Sequence, residues 1–196
     1  MLTLAFPVQV AGQIAKVKRI QTTDTSAAKL TREQCLVRAR SARINTDLQG
    51  AKLNDADLSN VVLLSADMRE ANLKKTILTK AKLCRANLNV ADMEGVVLND
   101  ADLSGAQLVN AKLKGANLVR AKLCDATLAG ADLTSAILTE ANLSRANLTG
   151  VILTGAILLG TDLSGANLQG ALLSQTNQLD KAILSKTILP DGTVHP

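Results

Sequence analysis

Residues 111–133 read AKLKGANLVRAKLCDATLAGADL, a five-residue unit repeated without a gap. Leucine returns at every fifth position, an alanine usually stands two residues before it, and a polar residue usually lies between them. From Leu48 to Leu173 all 26 such positions hold leucine except Met68 and Met93. A repeat of this length and regularity indicates a solenoid rather than a conventional globular core.

A period of five matches neither an α-helix nor a plain β-strand. It matches a short extended piece followed by a corner, because alternation along the piece sends the alanine and the leucine to one face and the middle residue to the other. The corner needs a tolerant backbone, which glycine, asparagine and aspartate supply. Ten of the twelve glycines stand two residues after a leucine of the repeat or, for Gly95, after Met93, which places them at these corners.

Charges along the repeat predict the number of units in one coil. Stacked coils place the residues of one column about 4.8 Å apart, where opposite charges attract and like charges repel. Charged residues 20 apart give 11 opposite pairs and 1 like pair, whereas separations of 15 and 25 show no such contrast. Lys80, Asp100, Arg120 and Glu140 alternate in sign at this spacing. We therefore expect 20 residues, or four units, per coil.

The Ala-(Asp/Asn)-Leu-x-x unit resembles the repeat of the pentapeptide-repeat family. That resemblance implies an all-β fold, a right-handed quadrilateral β-helix with four pentapeptides per coil and about 6.5 coils. It also implies a protein that acts through its surface, in some members as a regulator. The closing stretch Leu-Pro-Asp-Gly-Thr-Val-His (189–195) resembles the tails of cyanobacterial members.

The sequence divides into three parts. The sequence predicts a basic, partly helical capping segment at residues 1–45, with a net charge of +6. It predicts the repeat at residues 46–175, with a net charge of −1. Residues 176–196 hold repeats in a new phase, because Thr176 reads as a one-residue insertion. A turn at Pro190-Asp191-Gly192 follows them.

The basic segment has three interpretations. The first is a helical cap on the open end of the solenoid, in which Thr31–Gln34 is a capping box and Leu30, Leu36 and Val37 pack inward. The second is a basic arm that binds an anionic surface or nucleic acid. The third, compatible with the cap, is that residues 1–15 are the remnant of a targeting peptide. An apolar helical face carries Val10, Ile14 and Val17, and the candidate arm consists of Lys16, Lys18, Arg19, Arg38, Arg40 and Arg43.

Composition speaks against most enzyme classes. The chain has one aromatic residue, Phe6, and one histidine, His195. Its three cysteines, of which Cys84 and Cys124 share one column two coils apart, lie too far apart for a disulfide and lack a histidine partner. We read them as inert surface or corner thiols. We expect no catalytic residue, no cofactor, no metal site and no small-molecule substrate.

One outward face departs from the polar pattern. Four outward positions of one column are aliphatic, although a solvated β face should be polar. Exposed apolar patches often mark interaction sites; the alternatives are that β-branched residues suit strands or that a cap segment covers the face. The candidate interaction face consists of Ile77, Val97, Val119, Ile137, Ile157 and Leu159.

These observations favour a non-enzymatic scaffold, with regulation as one role for it, that binds an unidentified protein or a second copy of itself. The alternatives are anionic-surface or nucleic-acid binding by the basic arm, and a gyrase-binding DNA mimic, which the near-neutral repeat disfavours. Nucleic acid is further disfavoured because the lysines near residue 80 have acidic column neighbours. No segment is suited to span a bilayer. The cytoplasm is favoured, with the periplasm and the thylakoid lumen as alternatives.

The interior leucines should carry the stability of the solenoid, at about 1.5–3 kcal/mol for each buried side chain. We expect Leu103→Asp to unfold the middle of the rod, because a carboxylate would be buried among leucines. Thermal unfolding followed by circular dichroism tests this. A cooperative transition retained in the variant would contradict the predicted interior.

Overall fold

A computed structural model describes residues 31–41, 44–174 and 178–196. The predicted helical face at 10–17 therefore lies outside the described residues, as do Leu30 and Thr176. Within the described ranges no helix is long and apolar enough to cross a membrane. Four members of the candidate basic arm also lie outside the described ranges, namely Lys16, Lys18, Arg19 and Arg43.

Parallel β-bridges join residues that are 20 apart along the repeat, from the pair Ile44 and Leu64 to the pair Ile152 and Leu172. Four bridges follow one another in each 20 residues, one for each five-residue unit. The 20-residue repeat predicted from the charges is therefore confirmed. Each extended piece is held by single bridges rather than by a longer strand, and the right-handed, four-sided form of the coil stays a prediction.

The inward alanine and leucine of each unit form one continuous core. Ala101 and Leu103 are fully buried, and both methionines of the leucine row are buried with them. Since leucine and alanine stack on their equivalents in the next coil, the interior excludes water along the rod. Burial of this apolar surface is the main favourable contribution to folding.

The last residue of almost every unit, which we call the corner residue, has a positive φ. Glycine is favoured there, as at Gly105 with φ of 65°, because it lacks a Cβ. Lys80, Glu140 and even the β-branched Val90 adopt the same conformation, with φ of 57°, 57° and 61°. The expectation of glycine, asparagine and aspartate was thus too narrow, since stacking on both neighbouring coils holds less suited residues in place.

The preference for asparagine or aspartate at the outward middle position follows from the hydrogen bonding. In the unit 146–150, four of the five backbone N–H groups donate to backbone carbonyls. The fifth belongs to Thr149, the residue directly after the inward leucine, and it donates to Oδ1 of Asn147 at 3.1 Å. The same bond joins Ser144 N–H to Asn142 Oδ1 at 2.9 Å. The middle side chain thus supplies the acceptor that the backbone does not.

One helix, α1 (Arg32–Ser41), precedes the repeat in the described residues. Its predicted capping box is confirmed, because the Thr31 N–H donates to Gln34 Oε1 at 2.8 Å and the Gln34 N–H donates to Thr31 Oγ1 at 3.3 Å. Leu36 is buried in the same cluster as the repeat leucines.

Two expectations for this segment were wrong. Val37 is 45% exposed, because α1 turns Cys35, Leu36 and Ala39 toward the core and leaves Val37 on the opposite side. Cys35 is fully buried and is therefore a core residue rather than a surface thiol. Neighbouring helical residues point about 100° apart, so only one of Leu36 and Val37 can face the rod squarely.

At the other end the register shifts by one residue. Bridges join Asp162 to Ile183 and Asn167 to Ile188, a separation of 21 instead of 20. The predicted one-residue change of phase is therefore confirmed. The chain then turns, with the Gly192 N–H donating to the Leu189 carbonyl at 2.9 Å, and Val194 pairs antiparallel with Ile188.

The side-chain acceptor at the middle position predicts a stability difference. We expect Asn147→Ala to lower the free energy of unfolding by about 1 kcal/mol, because the Thr149 N–H loses its acceptor. The neighbouring rung holds Thr127, and Thr127→Asn should stabilise the rod by a similar amount by supplying the same acceptor to the Ala129 N–H.

Chemical denaturation followed by circular dichroism measures both changes. Thr127→Ala serves as the control, since it truncates a middle residue for which the described structure shows no such bond. Equal losses in Asn147→Ala and Thr127→Ala would show that the hydrogen bond contributes nothing.

Candidate interaction face

The structure aligns the aliphatic outward residues in one ladder of bridges, which we call the apolar column. Each member bridges to the next, so the side chains stack at the spacing between coils, about 4.8 Å. Ile77 and Ile157 are 40% and 50% exposed, and the members between them are half-buried. The apolar column consists of Asp57, Ile77, Val97, Asn117, Ile137 and Ile157.

A second row runs beside this column, one residue after each inward leucine. Val119 is half-buried in this row and Leu159 is 51% exposed. Asn117 accepts a hydrogen bond from the Val119 N–H at 3.3 Å, but an isoleucine or valine cannot act as acceptor. Beside the aliphatic rungs the described structure shows no partner for the backbone N–H groups of Thr79, Asn99, Thr139 and Leu159.

Corner residues of alternating charge flank the second row and form what we call the charged edge: Lys80, Asp100, Arg120 and Glu140. Within it the Arg120 guanidinium bonds both carboxylate oxygens of Asp100, at 2.7 and 3.0 Å. These bonds hold the pKa of the Asp100 carboxyl below its ordinary value of 3.8. No ion pair of Lys80 or Glu140 is present in the described part of the chain.

The opposite edge of the face has two corners without side chains at its centre. Gly95 and Gly115 occupy successive corners there, and a cavity of about 540 Å³ opens over them. Lys74 Nζ lies 3.3 Å from Glu94 Oε2 and 3.3 Å from Asp92 Oδ2, and these carboxylates raise the pKa of Lys74. Lys114 stands on the next coil beside Glu94 and also lines the cavity.

A small groove of about 280 Å³ lies at the C-terminal end of the face. Its apolar side is formed by Ile157 and Leu159, and its polar side by Asp180 and Lys181. Gln178 closes the base, because its Nε2 donates to the carbonyls of Leu153 and Ala156. The apolar surface therefore extends beyond Ile137 to Ile157 and Leu159.

The described members of the basic arm contact the first coil. Arg38 donates to the Asp47 carbonyl at 3.0 Å and Arg40 to the Asp57 carbonyl at 3.5 Å. Arg32, at the start of α1, donates to the Asn54 carbonyl at 2.7 Å. Three arginines of the segment thus bond the backbone of the rod, which is a structural role.

The thiols offer no reactive centre on the described surface. Cys84 and Cys124 are free and half-buried in one column, where the Cys124 thiol lies 3.2 Å from Ser104 Oγ. Burial raises the pKa of the Cys84 thiol, which disfavours the nucleophilic thiolate. The described residues contain no group of three or more histidine, cysteine, aspartate or glutamate side chains arranged for a metal ion.

Comparison with known families gives a match along most of the chain. A family model described as Pentapeptide repeats matches in 8 copies, at residues 44–79, 76–115, 116–155, 141–177 and 156–190. No curated protein sequence gives a significant match.

Three solved structures show the range of similarity. The pentapeptide-repeat protein Rfr23 from the cyanobacterium Cyanothece 51142 is 30% identical, with a TM-score of 0.37, and the match covers 60% of this chain and 63% of that one. HetL, involved in heterocyst differentiation regulation in the cyanobacterium Nostoc sp. strain PCC 7120, is 32% identical over 76% of this chain and 91% of its own, with a TM-score of 0.22. A protein from the Arabidopsis thaliana thylakoid lumen is 28% identical, covering 63% and 65%, with a TM-score of 0.23.

The arginine–aspartate pairs at the corners predict a dependence of stability on pH. Arg120 and Arg145, through their hydrogen bonds, hold the carboxyl pKa values of Asp100 and Asp125 below 3.8. A carboxyl whose pKa is lower in the folded state stabilises the fold above its unfolded pKa, and this contribution disappears as the pH falls through the folded value.

We therefore expect the melting temperature to fall between about pH 5 and pH 2, in part because these pairs are lost. The variant Asp100→Asn with Asp125→Asn should show a smaller fall over the same range, since its amides do not titrate. Melting curves at several pH values measure this. An acid-induced decrease as large as in the unmodified protein would contradict the assignment.

Proposed function

Because the chain belongs to the pentapeptide-repeat family, we propose that it is a non-enzymatic scaffold that binds a protein partner through the apolar column. Its coil is right-handed and four-sided, so the column forms one flat side of a rigid rod. Residues 1–45 are the capping segment, residues 46–175 the β-helix, and residues 176–196 the out-of-phase end. Proteins of this family are generally structural or interaction scaffolds, which supports the proposal.

The observation that carries the proposal is the contrast between two columns of the same rod. The column from Asp47 to Asn167 holds only polar residues in seven successive rungs. The apolar column, built on the same backbone and the same bridges, has an isoleucine or valine in four of its six rungs. Strand preference alone acts on both columns equally and therefore does not account for the difference.

Hydrogen bonding adds to this argument. An asparagine at each aliphatic rung would accept the N–H that follows the inward leucine, as Asn117 does for Val119. The aliphatic residues give up that bond and expose apolar surface to water. Burial of the face by a partner offsets the second loss, because apolar surface is stabilised when it is removed from water.

The basic segment supports a cap more than an anion-binding arm. Arg38 and Arg40 donate to carbonyls of the first coil, and Leu36 packs into the core. The acidic side chains of the rod give little support to DNA mimicry, since Asp100 and Asp125 are each paired with an arginine.

A photo-crosslinking amino acid tests the proposed surface in living cells. Placed at Ile137 it should give a discrete covalent adduct with a protein, whereas at Asn147, an outward position of the polar column, it should give none. In the variant that carries the crosslinking residue at Ile137, the further change Ile157→Lys should reduce the adduct at least about fivefold, because a charge enters the apolar surface. Gel mobility and mass spectrometry read the products.

Melting temperatures of all variants serve as the folding control. Equal adducts at Ile137 and Asn147, or no adduct at either, would overturn the proposed interaction face.

A further inference from the structure

The charged edge beside the apolar column is complementary to itself when reversed. Its four corners carry, in order along the rod, a positive, a negative, a positive and a negative side chain. A second copy can pack face to face with the first about a two-fold axis that lies in the plane of the face and runs perpendicular to the long axis of the rod. It then presents the same series of charges in the opposite order. With the axis midway between Asp100 and Arg120, every corner then faces an opposite charge.

The pairs that result are specific. Lys80 faces Glu140 of the second copy, and Asp100 faces Arg120 of the second copy, and each pair occurs twice. Lys80 and Glu140 are the two members of the edge without an ion pair in the described residues. Sheets that pack face to face lie about 10 Å apart, a gap that a lysine and a glutamate side chain together can span.

The rest of the face meets about the same axis with one unfavourable rung, in which Asp57 faces Ile157 of the second copy. Ile77 faces Ile137 of the second copy, and Val97 faces Asn117. On the opposite edge Glu94 faces Lys114 of the second copy, and the two central corners, Gly95 and Gly115, face each other without side chains to keep the rods apart. No like charges meet in this arrangement.

Neighbouring arrangements are less favourable. Moving the axis by half a coil brings Asp100 against its own equivalent and Lys80 against Arg120. Two rods running in the same direction would place Lys80 against Lys75 of the other copy. Like charges that face each other oppose association, and an axis moved by a whole coil keeps only two of the four opposite pairs, so the charges favour one antiparallel register.

We propose that the partner of the apolar column is a second copy of this chain, held in this antiparallel register by Lys80 and Glu140. The inference rests on the proposed function of the face and adds the identity and orientation of the partner. A second copy repeats its side chains at the same spacing of about 4.8 Å, so each rung of one copy lies opposite a rung of the other.

The size of the face sets the expected affinity. Six rungs extend about 29 Å along the rod, and an extended piece of about four residues is about 14 Å wide, which gives a contact of about 400 Å² on each copy. Standard stable interfaces bury about 800 Å² per partner. We therefore expect a weak dimer, with a dissociation constant on the order of 100 μM.

Sedimentation equilibrium of the full chain, with interference detection because the chain lacks tryptophan and tyrosine, measures the association. The apparent mass should rise from 20.5 kDa toward twice that value as the concentration approaches about 1 mM. Lys80→Glu and Glu140→Lys should each weaken the dimer at least about fivefold, because like charges then meet across the interface.

The double variant, Lys80→Glu with Glu140→Lys, should restore the affinity to within about twofold of the original. Within one chain it carries both unfavourable contacts, a carboxylate at position 80 beside Asp100 and an ammonium group at position 140 beside Arg120. Recovery therefore cannot come from a more stable monomer. Arg145→Glu, which reverses the charge at a corner outside the face, is the matched control and should leave the affinity unchanged.

Failure of the inference and failure of the proposed function give different results. A chain that stays monomeric to about 1 mM, or a dimer unaffected by the single charge variants, overturns the second copy as partner. A crosslinked adduct of Ile137 with a different protein then still supports the face. A dimer that both single variants weaken and the double variant restores supports the register.

Discussion

The bridge between each extended piece and its equivalent 20 residues later is the contact on which the structure depends. It aligns leucine with leucine and alanine with alanine inside the rod, and at the same time it pairs three of the five backbone N–H groups in a unit such as 146–150. Neither the core nor most of the hydrogen bonding exists within one coil. Stability therefore comes from stacking, as in other repeat proteins.

This dependence leaves the outward middle position free to vary in its chemistry. Its side chain contributes to the fold mainly by accepting one backbone N–H, as Asn147 does. Where that position is aliphatic, as at Ile137, the fold persists because the other bonds remain. The surface of the rod can therefore change its chemistry column by column, and the apolar column is the clearest such change.

Much of the architecture could be predicted from the residues. The leucine spacing gave the unit, the charge pairs gave the 20-residue repeat, and the shifted spacing of Leu179, Leu184 and Leu189 gave the change of register seen at Ile183. The hydrogen bond behind the asparagine and aspartate preference was missed. A signal for it was present, since these residues accept from a backbone N–H two residues later in many turns.

The period, the inward residues and the charges that stack can be read from the residues alone, because each depends on spacing along the chain. The aliphatic outward positions can be read in the same way. Packing in three dimensions was needed to show that Val37 faces away from the core and that the Arg38 and Arg40 side chains bond the first coil. It also showed that the glycines at 95 and 115 open one edge of the face. Those facts depend on the direction in which α1 and the coils approach each other, which no local pattern encodes.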